Sequence, residues 1–291
     1  MKGIVLAGGS GSRLYPITKG TSKQLLPVYD KPLIYYPVST LLLLGITEIL
    51  IISSPRDLPL IEGLLGTGEQ LGVQFTYLVQ ESPKGIAEAF ILGESFIDGA
   101  PVALILGDNI FHGDQLAKSL KRGIGLEKGA HIVAYRVKDP ERFGVVEFDA
   151  DYRPLKIVEK PDKPKSNWAV TGLYFYGPEV VDVAKSVQPS NRGELEITAV
   201  NSAFLERGGL TVSLCGRGVA WMDAGTPDAL LSASSYFQCL DKRQGLQVAC
   251  LEEVAFRMGY ISREELLKQA RELSDCTYAK YLKEVVLGEN E

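Results

Sequence analysis

Short runs of apolar, β-branched residues alternate with helix-like segments along most of the chain, and this alternation restricts the fold more than any other feature. Such runs are typical of buried strands. Their alternation with helices predicts a parallel-rich sheet covered on both faces. We therefore expect an α/β fold, a Rossmann-like three-layer α/β/α arrangement around a mostly parallel mixed sheet. The predicted strands are Ile4–Leu6, Ile49–Ile52, Val73–Val79, Val102–Leu106, Ile132–Ala134, Val145–Phe148, Leu155–Glu159, Ala169–Tyr176, Leu210–Leu214 and Val219–Met222.

Helix signals are clearest at three places. Apolar residues four apart predict one helix from about Asp114 to Ile124. Thr226-Pro227-Asp228 is a strong helix start, and Ser262 opens a capping box. Beyond residue 240 only helical signals remain. We predict a main domain over 1–240 and a helical extension over 241–291 that docks onto it.

The composition excludes several classes of protein. The chain has 291 residues, 45% of them hydrophobic, and a net charge of −5, which argues against nucleic-acid binding. Four scattered cysteines and two histidines form no zinc-binding pattern and suit a reducing compartment. The apolar runs Ile4–Ala7 and Leu41–Leu44 are too short for a signal peptide or a membrane span. We expect a cytoplasmic protein with no nucleic-acid or membrane partner.

The first predicted strand leads into a glycine-rich loop, Gly8-Gly9-Ser10-Gly11-Ser12-Arg13. Glycines allow the backbone to approach a polyphosphate and direct amide groups at it. A dinucleotide-binding fingerprint counted from Gly9 needs a glycine where Leu14 stands, and the Gly-Lys-Ser/Thr of a P-loop is absent. The loop alone leaves two interpretations, a triphosphate cradle in which Arg13 binds the departing phosphates and a plain glycine turn.

Two apolar strands end at an aspartate. Asp108 follows Val102–Leu106 after one glycine, and Asp223 ends the segment Trp221-Met222-Asp223. Ligands of α/β sheets lie beyond the carboxyl ends of the strands. Two carboxylates together with triphosphate oxygens suit Mg²⁺. From the residues alone, both acids could instead cap helices, although the cap at Thr226 makes this unnecessary for Asp223.

The continuation of the glycine loop is more specific than the glycines. Leu6–Pro16, followed by Ser22-Lys23-Gln24-Leu25-Leu26-Pro27, resembles the signature of sugar nucleotidylyltransferases, above all that of the glucose-1-phosphate thymidylyltransferases. Ser12 stands where this family more often has threonine and keeps the hydroxyl. The resemblance implies nucleotidyl transfer from dTTP to glucose 1-phosphate, with release of pyrophosphate. The nucleotide-binding residues that it implies are Gly8, Gly9, Gly11, Ser12, Arg13, Lys23, Gln24, Gln80, Gly85 and Asp108.

The resemblance also implies the catalytic groups. Arg13 and Lys23 would hold the leaving pyrophosphate, Asp108 and Asp223 would hold Mg²⁺, and Lys160 would bind the sugar phosphate. The residues implied on the sugar-phosphate side are Asn109, Gly144, Glu159, Lys160 and Val170.

Sequence features on this sugar side also predict a backbone conformation and leave one string with two interpretations. Lys160 precedes a proline, which predicts an extended backbone at that lysine. Gly193-Glu194-Leu195-Glu196 matches another family string, and its acids are either structural or sugar-binding.

The segment from Val79 to Ala87 resembles the loop that reads the base in this family, and the resemblance implies that Gln80 and the Gly85 backbone hydrogen-bond the pyrimidine. Gln80 offers both a donor and an acceptor, which suits thymine or uracil. A UTP-using or dual-specificity enzyme is therefore the alternative to a dTTP enzyme. A non-catalytic nucleotide-sugar sensor is the less favoured alternative outside the enzyme class.

The segment 247–261 resembles the tail of long-form thymidylyltransferases. In these, a second nucleotide-sugar site at a subunit contact binds the pathway end product, which implies a homotetramer and feedback by a dTDP-sugar such as dTDP-rhamnose. The matching residues are Arg217, Glu253 and Arg257. The simpler interpretation is that Arg257 pairs with a nearby acid on an exposed helix. His112 stands near this region where the family usually has tyrosine, and neither His112 nor His131 is predicted to be catalytic.

Overall fold

The computed structural model describes residues 1–114 and 116–288, without the side chain of Ser119. The strands in this part of the chain are β1 Lys2–Leu6, β2 Pro27–Val28, β3 Lys31–Pro32, β4 Glu48–Ser53, β5 Gln74–Val79, β6 Val102–Leu106, β7 Asn109–His112, β8 Ala130–Arg136, β9 Gly144–Phe148, β10 Pro154–Glu159, β11 Trp168–Tyr176, β12 Leu210–Leu214 and β13 Ala220–Asp223. The helices are α1 Tyr35–Leu43, α2 Leu58–Leu65, α3 Glu88–Leu92, α4 Glu94–Ile97, α5 Leu116–Ser119, α6 Lys121–Ile124, α7 Val180–Ser186, α8 Ile197–Glu206, α9 Pro227–Gln244, α10 Leu251–Arg257, α11 Arg263–Glu272 and α12 Thr277–Leu287.

The central sheet is mixed, and its first half is parallel. Strands β5, β4, β1 and β6 lie side by side and run in the same direction. β11 then pairs antiparallel with β6 along one edge and with β8 along the other, and β12 extends the sheet parallel to β8. The hairpin of β9 and β10 joins beside the start of β11. The predicted α/β sheet is confirmed.

Both faces of the sheet are buried, as three layers require. Ile4 and Leu50 contribute to the core on one face, and their neighbours Val5 and Ile51 contribute to the core on the other. Because successive side chains of a strand point to opposite faces, these near-continuous apolar runs need helices on both sides.

The parallel strands bring their carboxyl ends to one edge. Leu6 at the end of β1 is in register with Leu106 at the end of β6. The chain continues from these two ends into the glycine loop and into Asp108, and the N–H of Gly107 donates to the carbonyl of Leu6 at 2.9 Å. Two loops predicted to bind the triphosphate are therefore neighbours.

A small third core lies beside this edge. It packs Leu14, Leu26 and Tyr36 from the start of the chain against Ile110 of β7 and Phe237 of α9. The centroids of the Tyr36 and Phe237 rings are 4.7 Å apart. This core fixes the loop that carries Arg13 and Lys23 against the β7–β13 pair, which carries the predicted metal ligands.

The predicted strands all occur, most with an end shifted by one or two residues, whereas β7 and the short pair β2–β3 were not predicted. The predicted helix from Asp114 to Ile124 includes Gln115, which lies outside the described residues, and the rest is split into α5 and α6. Leu120 adopts φ −96° and ψ 0° at the break. The second turn then approaches Phe175, where Gly123 leaves room that a Cβ would fill at 2.4 Å. The predicted buried face is correct for Leu116 and Leu120.

The helical extension packs on the main body of the protein. The hydroxyl of Tyr260 donates to the carbonyl of Leu42 in α1 at 2.8 Å, and the amide of Gln269 donates to the carbonyl of Gln70 at 2.6 Å. The capping box at Ser262 is confirmed. Helix α9 runs through residue 240, so the division at that position stays a prediction. None of the described helices is long and apolar enough to cross a membrane.

Candidate active site

Two adjoining cavities open at the carboxyl edge of the sheet, with volumes of about 730 and 370 Å³. Both are lined by Arg13, Asp108, Glu159 and Lys160. The larger cavity adds the predicted residues Ser12, Asn109, Gly144, Val170 and Asp223. The smaller cavity adds Gly8, Gly9, Lys23, Gln80 and Gly85. The structure thus brings together nearly all the residues predicted for the two substrates.

The glycine loop needs its glycines for different reasons. Gly9 and Gly11 have φ of +97° and +60°, which residues with a Cβ rarely adopt. A Cβ on Gly8 would lie 3.0 Å from Oε1 of Gln80, and one on Gly11 would lie 2.7 Å from a methyl group of Thr18. Gly8 therefore allows the loop to lie against Gln80, whereas Gly11 allows the loop to turn and to pack against Thr18.

Gln24 and Gly11 line neither cavity, although both were predicted to bind the nucleotide. Gln24 is buried, and its Nε2 donates to the carbonyl of Gly8 at 3.1 Å. Thr18 donates to the carbonyl of Gly11 at 2.8 Å. In this structure, Gln24 and Gly11 therefore belong to the hydrogen bonds that fix the conformation of the loop.

The two predicted cations each face one of the predicted acids. Nζ of Lys23 lies 2.5 Å from Oδ2 of Asp108, with only 15% and 10% of the two side chains exposed. Arg13 is more open, with 56% of its side chain exposed and its guanidinium 3.9 Å from Asp223. Lys23 thus has a fixed position, while Arg13 extends from the loop into the cavity.

Strand pairing brings the two acids together. β13 runs antiparallel to β7 with Asp223 opposite Asn109, and the N–H of Ala224 donates to the carbonyl of Asp108 at 3.0 Å. Asp223 is not capping α9, because Thr226 accepts from the N–H of Ala229 at that helix start. Its Oδ1 instead accepts from the N–H of Gly225, two residues on.

The two carboxyl groups differ in their electrostatic environment. Burial by itself would raise the pKa of Asp108, but the charge and hydrogen bond of Lys23, with a bond from Asn109, hold it below its usual value. Burial, followed by repulsion from Asp108, raises the pKa of Asp223 in spite of Arg13. A divalent cation between them would relieve this repulsion.

Asn109, the first residue of β7, connects Asp108 to the strands β11 and β13. Its Oδ1 accepts from the indole N–H of Trp221 at 2.7 Å and from the N–H of Gly172 at 3.0 Å. Its Nδ2 donates to Oδ1 of Asp108 at 3.1 Å. The fixed amide therefore orients the carboxylate, and Gly172 is small because a Cβ there would overlap Asn109.

The residues predicted for the sugar-phosphate side lie around β9, β10 and the start of α8. Thr198 at the start of α8 donates to Oε2 of Glu159 at 2.6 Å, and Nζ of Lys160 lies 3.5 Å from Oε1 of Glu159. A Cβ on Gly144 would lie 3.3 Å from Glu159 and 3.8 Å from Val170. These residues form one wall of the larger cavity.

The prediction that Lys160 is extended was wrong. Its φ is +42°, in the left-handed region that residues with a Cβ rarely enter. The N–H of Lys160 donates to the carbonyl of Phe143 at 3.0 Å, which holds the turn after β10 against the neighbouring hairpin strand. Backbone strain of this kind is typical of functional sites.

Two arginines of the site were not predicted. Arg142 lines the larger cavity, and Arg192 lines both. Arg192 lies 2.8 Å from Glu196, 3.7 Å from Glu159 and 3.9 Å from Glu194. Its position beside the string Gly193–Glu196 was the available signal, and Glu194 also lines both cavities.

The base-side loop is fixed to the sugar side through backbone contacts. The N–H of Leu195 donates to the carbonyl of Lys84 at 2.6 Å, and the N–H of Ala87 donates to the carbonyl of Leu195 at 3.1 Å. Gly85 has φ +108°, and a Cβ there would lie 2.4 Å from the Leu195 carbonyl oxygen. The segments predicted to bind the base and the sugar are therefore physically joined.

The residues predicted for an effector lie away from these cavities. Glu253 is nearly buried in α10, where Nε of Arg257 donates to it at 2.7 Å and the hydroxyl of Tyr281 at 2.6 Å. Arg217 lies on the exposed turn between β12 and β13 and forms no ion pair with Glu253 within the described residues. His112 bonds to the hydroxyl of Tyr236 at 2.9 Å, and burial lowers its pKa.

The chain was compared with known protein families, sequences and structures. A family model described as Nucleotidyl transferase matches residues 2–238. Glucose-1-phosphate thymidylyltransferase of Neisseria gonorrhoeae is 53% identical over 97% of this chain and 98% of the relative. The protein of that name from Mycobacterium tuberculosis (strain CDC 1551 / Oshkosh) is 52% identical over 98% and 99%.

Solved structures agree with this. A structure described as a glucose-1-phosphate thymidylyltransferase from Bacillus anthracis with sucrose has a TM-score of 0.76 and 44% identity, covering 81% of this chain and 94% of that one. A UDP-glucose pyrophosphorylase with a TM-score of 0.71 and 24% identity shares the fold. The chain belongs to the nucleotidyl transferase family. Within that family, it belongs with the glucose-1-phosphate thymidylyltransferases.

Proposed function

We propose that this protein transfers a thymidylyl group from dTTP to glucose 1-phosphate, giving dTDP-glucose and pyrophosphate. One observation carries the proposal: Lys23 pairs with Asp108, Arg13 faces Asp223, and both cations line the same cavity as Lys160. Cations for a leaving pyrophosphate and for an attacking sugar phosphate thus share one cavity. The relatives named above support thymidylyl transfer over uridylyl transfer.

In this reaction, a non-bridging oxygen of the sugar phosphate forms a bond to the α-phosphorus of dTTP. The bond from that phosphorus to the oxygen bridging it to the β-phosphate breaks in line, and pyrophosphate leaves with the electron pair. Lys160 holds the attacking phosphate, while Lys23 and Arg13 hold the departing one. No covalent intermediate is needed, so catalysis consists of positioning and charge neutralisation.

The two acids fit a magnesium ion. Among the described residues there is no cluster of three or more histidine, cysteine or acidic side chains. Mg²⁺ is commonly held by only one or two carboxylates together with phosphate oxygens, and Asp108 and Asp223 supply that number. Burial and then the neighbouring Asp108 raise the pKa of Asp223, and a cation at this place would relieve the repulsion between the two acids. When bound, Mg²⁺ would neutralise charge on the reacting phosphates.

The test is a panel of dTTP, UTP, dCTP and ATP with glucose 1-phosphate, measured by phosphate release in the presence of pyrophosphatase. We expect turnover with dTTP that requires Mg²⁺, and its loss in EDTA is followed as dTDP-glucose formation by chromatography because pyrophosphatase itself needs Mg²⁺. UTP turnover equal to or above that of dTTP would support the uridylyl alternative. Tight nucleotide binding without pyrophosphate release would identify a sensor.

We further propose a homotetramer in which a dTDP-sugar, such as dTDP-rhamnose, binds at Arg217, Glu253 and Arg257 and inhibits by feedback. The buried Glu253 and its bond to Arg257 support a preformed arrangement in α10. This pair also fits the simpler interpretation of a helix ion pair, so the test must be functional. An arginine fork suits a diphosphate.

The unpaired state of all four cysteines supports a cytoplasmic location.

Arg257→Ala should relieve inhibition by dTDP-rhamnose while leaving uninhibited turnover nearly intact, because the two sites are distinct. Arg271→Ala, which removes another exposed arginine of the tail, is the matched control and should remain inhibited. Competitive inhibition unchanged in Arg257→Ala would place the effector in the active site alone. Light scattering after size exclusion tests the tetramer.

A further inference from the structure

A buried amide lies between the base side of the site and an acid that was not predicted. Gln80 follows β5 and is almost fully buried, and its Nε2 donates to Oε2 of Glu88 at 2.7 Å. Glu88 opens α3, and only 14% of its side chain is exposed. A carboxylate accepts hydrogen bonds and cannot donate them, so the nitrogen of the Gln80 amide must face Glu88.

This contact leaves the other end of the amide for the cavity. Oε1 of Gln80 lies beside Gly8, 3.0 Å from the position of a Cβ on that glycine. No donor from the described residues reaches Oε1. The N–H of Gly85, in the same cavity wall, likewise has no acceptor in the described part of the chain. The wall thus offers the base one fixed acceptor and one fixed donor.

This pair of groups matches one kind of pyrimidine edge. From position 4 to position 2, thymine and uracil present an acceptor, a donor and an acceptor, whereas cytosine presents a donor and two acceptors. An acceptor from Gln80 and a donor from Gly85 complement the N3–H and O4 of thymine or uracil. Against cytosine in the same orientation, each group would meet one of its own kind, which leaves buried polar groups unpaired.

We propose that Glu88 is a positioning residue that holds the Gln80 amide in the orientation that selects thymine or uracil over cytosine. This inference rests on the proposed function and deepens it, since it assigns the choice of base to a residue that does not need to touch the base. Without an acceptor-only neighbour, the amide could turn over and present its nitrogen to the base instead.

The test is Glu88→Gln, which keeps the shape but can either donate to or accept from Gln80. Both orientations of the Gln80 amide then become available. We expect kcat/KM for dTTP and UTP to fall only about twofold, because the competent orientation keeps about half of the population. We expect kcat/KM for dCTP to rise at least about tenfold, because the cost of turning the amide is removed.

The matched control is Glu94→Gln, which removes the same charge from an exposed ion pair with Lys185. This variant should keep the wild-type ratio of dTTP to dCTP use. A gain with dCTP cannot result from damage to the fold, since damage lowers the use of every nucleotide. An unchanged dTTP-to-dCTP ratio in Glu88→Gln, whether total activity is kept or lost, overturns the proposal for Glu88 while leaving the proposed reaction intact. A wild-type protein that does not turn over dTTP overturns both.

Discussion

Replacing Lys23 with methionine tests the electrostatics of the site apart from turnover. The ammonium group lies 2.5 Å from Asp108, and the two side chains are 15% and 10% exposed. Removing one partner of a buried ion pair commonly destabilises a protein by about 3–5 kcal/mol. Asn109 still donates to Asp108 and some solvent reaches the pair, so we expect the lower end, about 3 kcal/mol.

The loss should depend on pH in a defined direction. With Lys23 present, the pKa of Asp108 lies below its usual value, so the pair stabilises the fold above the unfolded pKa and this contribution is lost as pH falls through the folded pKa. In Lys23→Met, the effect of burial is no longer opposed by Lys23, and the pKa of Asp108 rises. The variant should then lose stability as pH rises through that new value. The difference from wild type is therefore smaller at about pH 5 than at about pH 7.5.

The measurement is urea unfolding followed by tryptophan fluorescence, in EDTA and without nucleotide. Lys23→Arg, which keeps the charge, is the control and should lose less than half as much. The double variant Lys23→Met/Asp108→Asn removes the stranded charge and should recover at least about 1.5 kcal/mol relative to additivity. Additive effects of the two substitutions, or a loss of under about 0.5 kcal/mol in Lys23→Met, would refute this account of the pair.

Three further predictions concern catalysis and stability. Asp108→Asn and Asp223→Asn should each cost at least about 2–4 kcal/mol of transition-state stabilisation, measured as kcat/KM at saturating Mg²⁺, and near-normal turnover in either would contradict the metal assignment. Lys160→Ala should chiefly impair the use of glucose 1-phosphate, and Arg13→Ala should chiefly impair the use of the triphosphate. Michaelis curves for both substrates test this, and the opposite pattern of defects would show that the two residues were assigned to the wrong substrates. Burial lowers the pKa of His131 to about 4. As the pH falls from about 6.5 to about 4, the unfolded chain takes up this proton before the folded protein does, so the free energy of unfolding decreases. Between about pH 7.5 and about pH 5, this histidine should lower the free energy of unfolding by about 2 kcal/mol. If His131→Asn lost as much stability as the wild type over this range, His131 would not be the cause of the loss.

Most of the strands could be predicted because their signal is local. A buried strand in a doubly covered sheet is a short apolar run, and Val102–Leu106 and Leu210–Leu214 were predicted with both ends correct. The capped starts at Thr226 and Ser262 were equally local, since each cap involves residues three positions apart. β7 was missed because Asn109–His112 is a short strand whose partner, β13, is more than a hundred residues away.

The site was predicted less evenly. The resemblance identified Asp108 and Asp223, and the structure places them in one cavity. It gave no reason to select Arg192, whose role depends on three acids brought around it by β10 and by the turn before α8. The rule for a residue before proline, and not the resemblance, gave the wrong backbone at Lys160, because that preference was outweighed by the hydrogen bond to Phe143.

The sequence by itself determined the fold class and the chemical types of the groups predicted to bind the substrates, since strand patterns, helix caps and motifs lie within short stretches of the chain. Only the tertiary structure decided which charges meet. Lys23 reaches Asp108 across 85 positions, and Trp221 reaches Asn109 across 112. The physical reason is that these contacts depend on the order in which strands join the sheet, and no local preference of the chain specifies that order.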